Sequence, residues 1–113
     1  MEINGTNLKM IRGDSECISV SMQDEEGVPI PLIDGDTVYF TVKKSVHREE
    51  ITLQKIIEEF QEGTAVIPIA PSDTKKLEFR TYVYDIQLTR ADGTVKTIIP
   101  PSDFTIGEEV TYD

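Results

Sequence analysis

One histidine, His47, and one cysteine, Cys17, are the side chains of this chain best suited to acid–base or nucleophilic chemistry. An imidazole acts as a base when a nucleophile and an orienting group stand beside it. His47 sits instead in the charged run Lys43, Lys44, Arg48, Glu49 and Glu50, which reads as solvated surface. No G-x-S-x-G elbow and no P-loop occurs. A reactive thiol needs positive charge nearby, and only Arg12 is close in sequence to Cys17. Cys17 also runs in phase with Ser19 and Ser21, on the face opposite Ile18 and Val20. Acids cluster at Asp24, Glu25 and Glu26 and again at Asp34 and Asp36. Calcium would need several converging oxygens, whereas Asp34-Gly35-Asp36 is too short for an EF-hand loop and has ordinary turn chemistry. Arg12-Gly13-Asp14 spells an integrin-binding tripeptide, but three residues recur by chance in many proteins, and here they are expected to make a turn between strands. Tyr39, Tyr82 and Tyr84 would suit sugar stacking, yet two of the three are in phase with core residues. The expectation is a protein that is not an enzyme, with no catalytic, cofactor-binding or metal-ligating residues and no cofactor.

Composition excludes several classes without naming a function. The chain has 113 residues, the size of one domain, and residues 1–113 are expected to form a single β-sandwich. Lys and Arg number 11 against 21 Asp and Glu, for a formal charge of −10. Such a chain has no footprint for nucleic acid and is repelled by anionic membranes. The densest basic positions, Lys43, Lys44, Arg48, Lys75, Lys76 and Arg80, are interleaved with Glu49, Glu50 and Glu78, which suits a solvated surface better than a phosphate track. The single cysteine excludes an intrachain disulfide. No apolar run approaches the ~18 residues of a membrane span, and Met1 to Met10 lacks the pattern of a signal peptide.

The elements are strands. Ile18, Val20 and Met22, then Val38, Phe40 and Val42, then Ala65, Ile67 and Ile69, then Tyr82, Tyr84, Ile86 and Leu88 alternate with more polar neighbours, as half-buried strands do. Leu8 with Met10 and Phe104 with Ile106 suggest a first and a last strand. Asp92-Gly93 suits a two-residue hairpin, which would pair Ile86 with Ile99, Leu88 with Thr97 and Arg90 with Val95. Pro100-Pro101 is expected to stop that strand. Residues 51–60 fit two patterns. Leu53, Ile56, Ile57 and Phe60 have helical spacing with Gly63 as a C-cap, while Ile51 and Leu53 alternate as a strand with a bulge near Lys55. The strand is preferred, because Glu58 and Glu59 would oppose a helix dipole at its C-terminal end. Pro71 to Thr74 reads as one helical turn capped by Ser72 or Asp73, with Leu77 anchoring it. The predicted fold is therefore all-β: an immunoglobulin-like antiparallel β-sandwich of seven to eight short strands with at most one or two short helical segments. The stretch from Asp73 to Ile86, a loop with Leu77 leading into Tyr82-Val83-Tyr84, resembles the corner before a late strand in immunoglobulin-like sandwiches, where a tyrosine hydroxyl bonds back to the loop backbone. The first strand, Leu8 to Ile11, and the last segment, Phe104 to Thr111, are expected at the sheet edges.

The order of these motifs resembles the immunoglobulin-like N-terminal domain of phage baseplate upper proteins and related prophage tail proteins. The resemblance runs from Ile11-Arg12-Gly13-Asp14 through Asp24-Glu25-Glu26-Gly27-Val28-Pro29-Ile30 and Ile33 to Lys43. It continues in Pro71-Ser72-Asp73-Thr74, Leu77, Tyr82 to Leu88 and Asp92-Gly93, and ends at Phe104-Thr105-Ile106 and Glu109-Val110-Thr111. It implies a structural module of a phage tail or baseplate, made in the bacterial cytoplasm and carried in the virion. Its partners would be other tail or baseplate proteins, and in isolation it would be a monomer or weak oligomer. In that family further segments usually follow this domain. Here the chain stops at Asp113, as a stand-alone tail protein or an excised domain would. The alternative is a bacterial immunoglobulin-like adhesion or carbohydrate-binding module, against which the missing signal peptide argues.

Overall fold

A computed structural model describes residues 1–109. The strands are β1 (Glu2–Asn4), β2 (Asn7–Ile11), β3 (Glu16–Val20), β4 (Met22–Gln23), β5 (Pro29–Ile30), β6 (Thr37–Lys43), β7 (Leu53–Ile57), β8 (Ala65–Ile69), β9 (Thr81–Thr89) and β10 (Val95–Gly107). One helical turn, α1 (Pro71–Thr74), joins β8 to β9. The fold is an all-β sandwich. One layer is a six-stranded sheet in the order β1-β2-β10-β9-β6-β7, and the facing layer is the pair β3-β8, with a small β4-β5 hairpin beside them. Among the described residues, pairing is antiparallel except between β2 and β10, which run parallel. The count exceeds the seven to eight strands expected because β1, β4 and β5 are fragments of two or three residues.

The alternation seen in the sequence is the alternation of burial. Val38, Phe40 and Val42 of β6 are buried, as are Tyr82, Tyr84, Ile86 and Leu88 of β9 and Ala65, Ile67 and Ile69 of β8. Ile18 and Ile99 pack against this core while partly buried. Three aromatic rings from adjacent strands meet at its centre. Phe40 lies 5.4 Å from Tyr84 and 5.9 Å from Phe104, the latter edge-on, the arrangement favoured by ring quadrupoles.

Residues 51–60 contain strand β7. It pairs with β6 in unbroken register from Val38↔Ile57 to Val42↔Leu53, so the expected bulge near Lys55 is absent. Gly63 caps no helix. It lies with Glu62 at the centre of a tight turn, φ 77° and 52°, closed by two hydrogen bonds between Gln61 and Thr64. Both central residues need positive φ in this turn type, which accounts for the glycine.

The last hairpin departs from expectation in an informative way. Asp92-Gly93 does not form a two-residue turn. Arg90 N–H donates to Thr94 and Gly93 N–H donates to Arg90, so Ala91, Asp92 and Gly93 make the loop, with Gly93 at φ 91°. Thr89 therefore faces Val95 and Leu88 faces Lys96, one position off the expected pairs. A register shift between Thr97 and Ile99 then restores Ile86↔Ile99. Nor do Pro100 and Pro101 end the strand. They sit in a second shift between Ile99 and Ser102, where a missing N–H costs no ladder bond, and β10 continues to Gly107.

The helical turn is capped from Ala70, not from Ser72 or Asp73. Asp73 contributes by reaching back to accept the Ala70 N–H at 2.7 Å. Leu77 packs on the core as expected, and the Tyr82 hydroxyl accepts the Glu78 N–H at 3.0 Å, tying the loop to the start of β9. Phe40 is fully buried against two rings, so Phe40→Ala is expected to cost ~3–5 kcal/mol in urea unfolding; a loss below ~1 kcal/mol would contradict this core.

Candidate functional site

The chemically able residues do not converge. His47 is exposed in the β6–β7 loop, and Cys17 is exposed on β3 opposite Pro68. Among the described residues, no three of His, Cys, Asp and Glu are placed to share a metal ion.

The acids singled out in the sequence have turn-building roles. The Asp24 carboxylate accepts the Glu26 and Val28 N–H groups, both at 2.9 Å, and so shapes the β4–β5 loop. Asp36 is buried and binds three donors: the Ile33 and Ala91 N–H groups and the Arg90 guanidinium, the last at 3.1 Å. It ties the start of β6 to the distant β9–β10 loop. Asp34, Glu25 and Glu26 are exposed.

The Arg12-Gly13-Asp14 turn is likewise committed. Arg12 forms a forked ion pair with Glu109, its shortest contact 2.6 Å, and its guanidinium lies over the Phe79 ring at 4.0 Å. The Arg12 bond holds the Glu109 carboxyl below its ordinary value, against the effect of burial. Gly13 N–H donates to the buried Thr74 hydroxyl. Of the three tyrosines, Tyr82 and Tyr84 are buried, and only Tyr39 faces outward.

Two concave regions stand out among the described residues. The first lies on the outer face of the large sheet, a cleft of about 360 Å³ whose lining includes Thr41, Lys43, Gln54, Asp85 and Gln87 together with Val46 and Ile51. Burial raises the Asp85 pKa here, opposed in part by Lys43.

The second, of about 570 Å³, opens along one flank of the sandwich, where β7 ends the large sheet and β8 ends the small one. Ile56, Ile57, Phe60, Val66 and Pro68 line it, with Glu58 and Glu59 alongside. Ile56 is 51% exposed. On the inner side of β7, Lys55 spans the gap between the layers to an Asp73 oxygen at 2.8 Å.

This flank corrects the expected edges. Leu8–Ile11 is covered by β1 on one side and β10 on the other, and Phe104–Gly107 lies between β2 and β9. Val110 and Thr111 lie outside the described residues. Alternation reports which face of a strand is buried and says nothing of which side is paired. The signal for the edge was Lys55: a charge on the inner face between Leu53 and Ile57 marks a strand at the rim of a sheet.

Comparison with known proteins gives no match: no family model fits the chain and no curated protein is similar to it.

Two measurements test these assignments. EDTA or millimolar calcium is expected to leave the melting temperature unchanged, since the loop acids are engaged locally or solvated. A saturable rise with calcium would show a bound ion stabilising the native state. Asp85 has a raised folded pKa, so its ionised form opposes folding. That cost is complete above the folded pKa and vanishes below the unfolded value, about 3.9. Asp85→Asn is therefore expected to raise stability at pH 7, with the gain fading as pH falls through this range in denaturant titrations. A gain that persists unchanged in acid would contradict it.

Proposed function

We propose that this domain is a non-enzymatic structural module of a phage or prophage tail or baseplate, acting by protein–protein contact. The observation that carries the contact reading is the open flank. The buried polar side chains of the described core are hydrogen-bonded, and unpaired strand edges lie beside the exposed Ile56 and the half-buried Phe60. A strand edge with apolar company is a surface that a neighbouring chain can cover.

The tail setting is supported by the motif order that runs from Ile11 to Thr111 and resembles baseplate upper proteins. On this reading the partners are other tail or baseplate proteins, with no role for nucleic acid or membrane, and the protein is made in the bacterial cytoplasm and carried in the virion. The charge of −10 opposes self-stacking over a Debye length of ~10 Å at 0.1 M salt, which favours a monomer or weak oligomer in isolation and a less acidic partner.

One observation favours a second reading, a bacterial immunoglobulin-like adhesion or carbohydrate-binding module. The outer cleft gathers Thr41, Lys43, Gln54, Asp85 and Gln87, and the outward-facing Tyr39 stands opposite Gln87 in the ladder. Hydrogen-bonding groups beside one aromatic ring suit a sugar.

The two part on one experiment. Particles released from an induced prophage that encodes this chain are expected to contain it, and deletion is expected to impair tail assembly or infectivity. Particles that lack the protein, with assembly and infectivity intact after deletion, would overturn the tail reading.

A further inference from the structure

We propose that β7 is a docking strand: an extended, basic segment of a partner protein pairs with its free edge and seats an apolar side chain against Ile56, Phe60 and Val66. The inference rests on the protein-contact reading above and names the surface and the chemistry of its occupant.

The choice of edge follows from comparing the strands that end a sheet. β1 has three residues, all exposed, and short edges offer little pairing. β8 contains Pro68, which has no N–H to donate. β3 has five residues, but its exposed positions are Cys17 and Ser19. β7 offers five residues without proline beside a groove of about 570 Å³, with Ile56 at its lip. Strand addition of this kind draws affinity from main-chain hydrogen bonds and selectivity from pockets for alternate side chains.

Lys55 decides whether the edge can be covered. An inward charge on an edge strand normally guards it, because covering the strand would bury that charge alone. Here the ammonium already holds Asp73 at 2.8 Å. Adding a strand leaves that pair intact.

Charge identifies the occupant. Residues 49–62 carry Glu49, Glu50, Glu58, Glu59 and Glu62 against the single Lys55, which is spent on Asp73. Glu58 and Glu59 line the groove itself. A second copy of this chain would bring the same glutamates together, whereas lysines or arginines on an incoming strand would meet them.

The test uses two amidated peptides on the full chain, one alternating lysine with valine and one alternating glutamate with valine. The readouts are amide hydrogen exchange and amide chemical shifts. The basic peptide is expected to slow exchange across Leu53–Ile57 and to shift Ile56; the acidic peptide is expected to do neither. Glu58→Lys combined with Glu59→Lys, both exposed positions, should weaken the basic peptide about tenfold, equivalent to about 1.4 kcal/mol, with the melting temperature unchanged. Ile56→Ala, which leaves the charge unchanged, should weaken it too, through the groove and not the ladder. Equal protection by both peptides, protection at β1 or β8 in place of β7, or no protection would overturn the proposal. If the protein is present in tail particles but Leu53–Ile57 exchanges there as fast as in the free chain, the docking strand fails and the tail reading stands. Selective peptide binding at β7 by a protein absent from particles supports the docking strand while the tail reading falls.

Discussion

The whole sandwich depends on β10 changing register twice. In a strand, one extra residue sends every later side chain to the opposite face. From the loop, Val95 and Thr97 face outward beside Thr89 and Gln87. The first shift turns Ile99 inward against Ile86, and the second, at Pro100-Pro101, turns Ser102, Phe104 and Ile106 inward against the core. Without the second shift Phe104 would face solvent, and the ring cluster with Phe40 and Tyr84 would lose one of its three members. The same stretch brings β10 alongside β2 in parallel, from Phe104↔Leu8 to Gly107↔Ile11. The prolines that look like a stop signal are thus the point at which one strand leaves its hairpin and becomes the sheet's link to the N-terminal segment.

Polar groups drawn inward by these irregularities are matched locally. Ser102 is buried at the bulge, where its hydroxyl donates to the Pro100 carbonyl and meets the Thr6 hydroxyl at 2.7 Å. Tyr84, on the facing strand, donates its hydroxyl to the Thr6 carbonyl, and burial raises its pKa. Three groups from separate parts of the chain therefore fix the β1–β2 turn over the bulge. Asp36 does the equivalent at the other end of the sheet, where its carboxylate joins the β6 entry to the β9–β10 loop. An unpaired buried donor or acceptor costs about 1–3 kcal/mol, so each contact also penalises alternative registers of the strands it joins.

What the sequence made legible was the burial of each strand's faces, because alternation is a direct imprint of the sheet's two sides. β6 and β9 could be read residue by residue on that basis, whereas the Tyr82 contact with the preceding loop was suggested by the resemblance of that stretch to the corner of immunoglobulin-like sandwiches and not by alternation. The pairing of Ile86 with Ile99 was reached by a route the chain does not take. A two-residue turn was assumed, whereas a three-residue loop and a compensating bulge arrive at the same partner by two offsets that cancel. Thr97 and Ile98 leave no mark of the first bulge, and Pro100-Pro101, at the second, fits a strand end as well as a bulge. The flank was harder still. Its one mark in the sequence is the inward Lys55 between Leu53 and Ile57, and the missing neighbour beside β7 is a property of topology.

The flank also shows why an edge can be open without being hazardous. Edge strands invite uncontrolled pairing, and an inward lysine is a common guard. In this chain the lysine has a fixed partner. Burial alone would raise the Asp73 pKa, but bonds from Lys55 and from the Ala70 N–H outweigh it and leave the value lowered, so the carboxylate is ionised at neutral pH. The guard is therefore neutralised from within the fold, by a residue whose second bond closes the first turn of α1. What would then discriminate among incoming strands is the glutamates of this flank, Glu58 and Glu59 in the groove lining among them, acting on the visitor's charge before any backbone bond forms. The acidity that first reads as an argument against nucleic acid and anionic membranes would on this proposal act as a filter on one edge, repelling copies of the chain itself and admitting a basic strand.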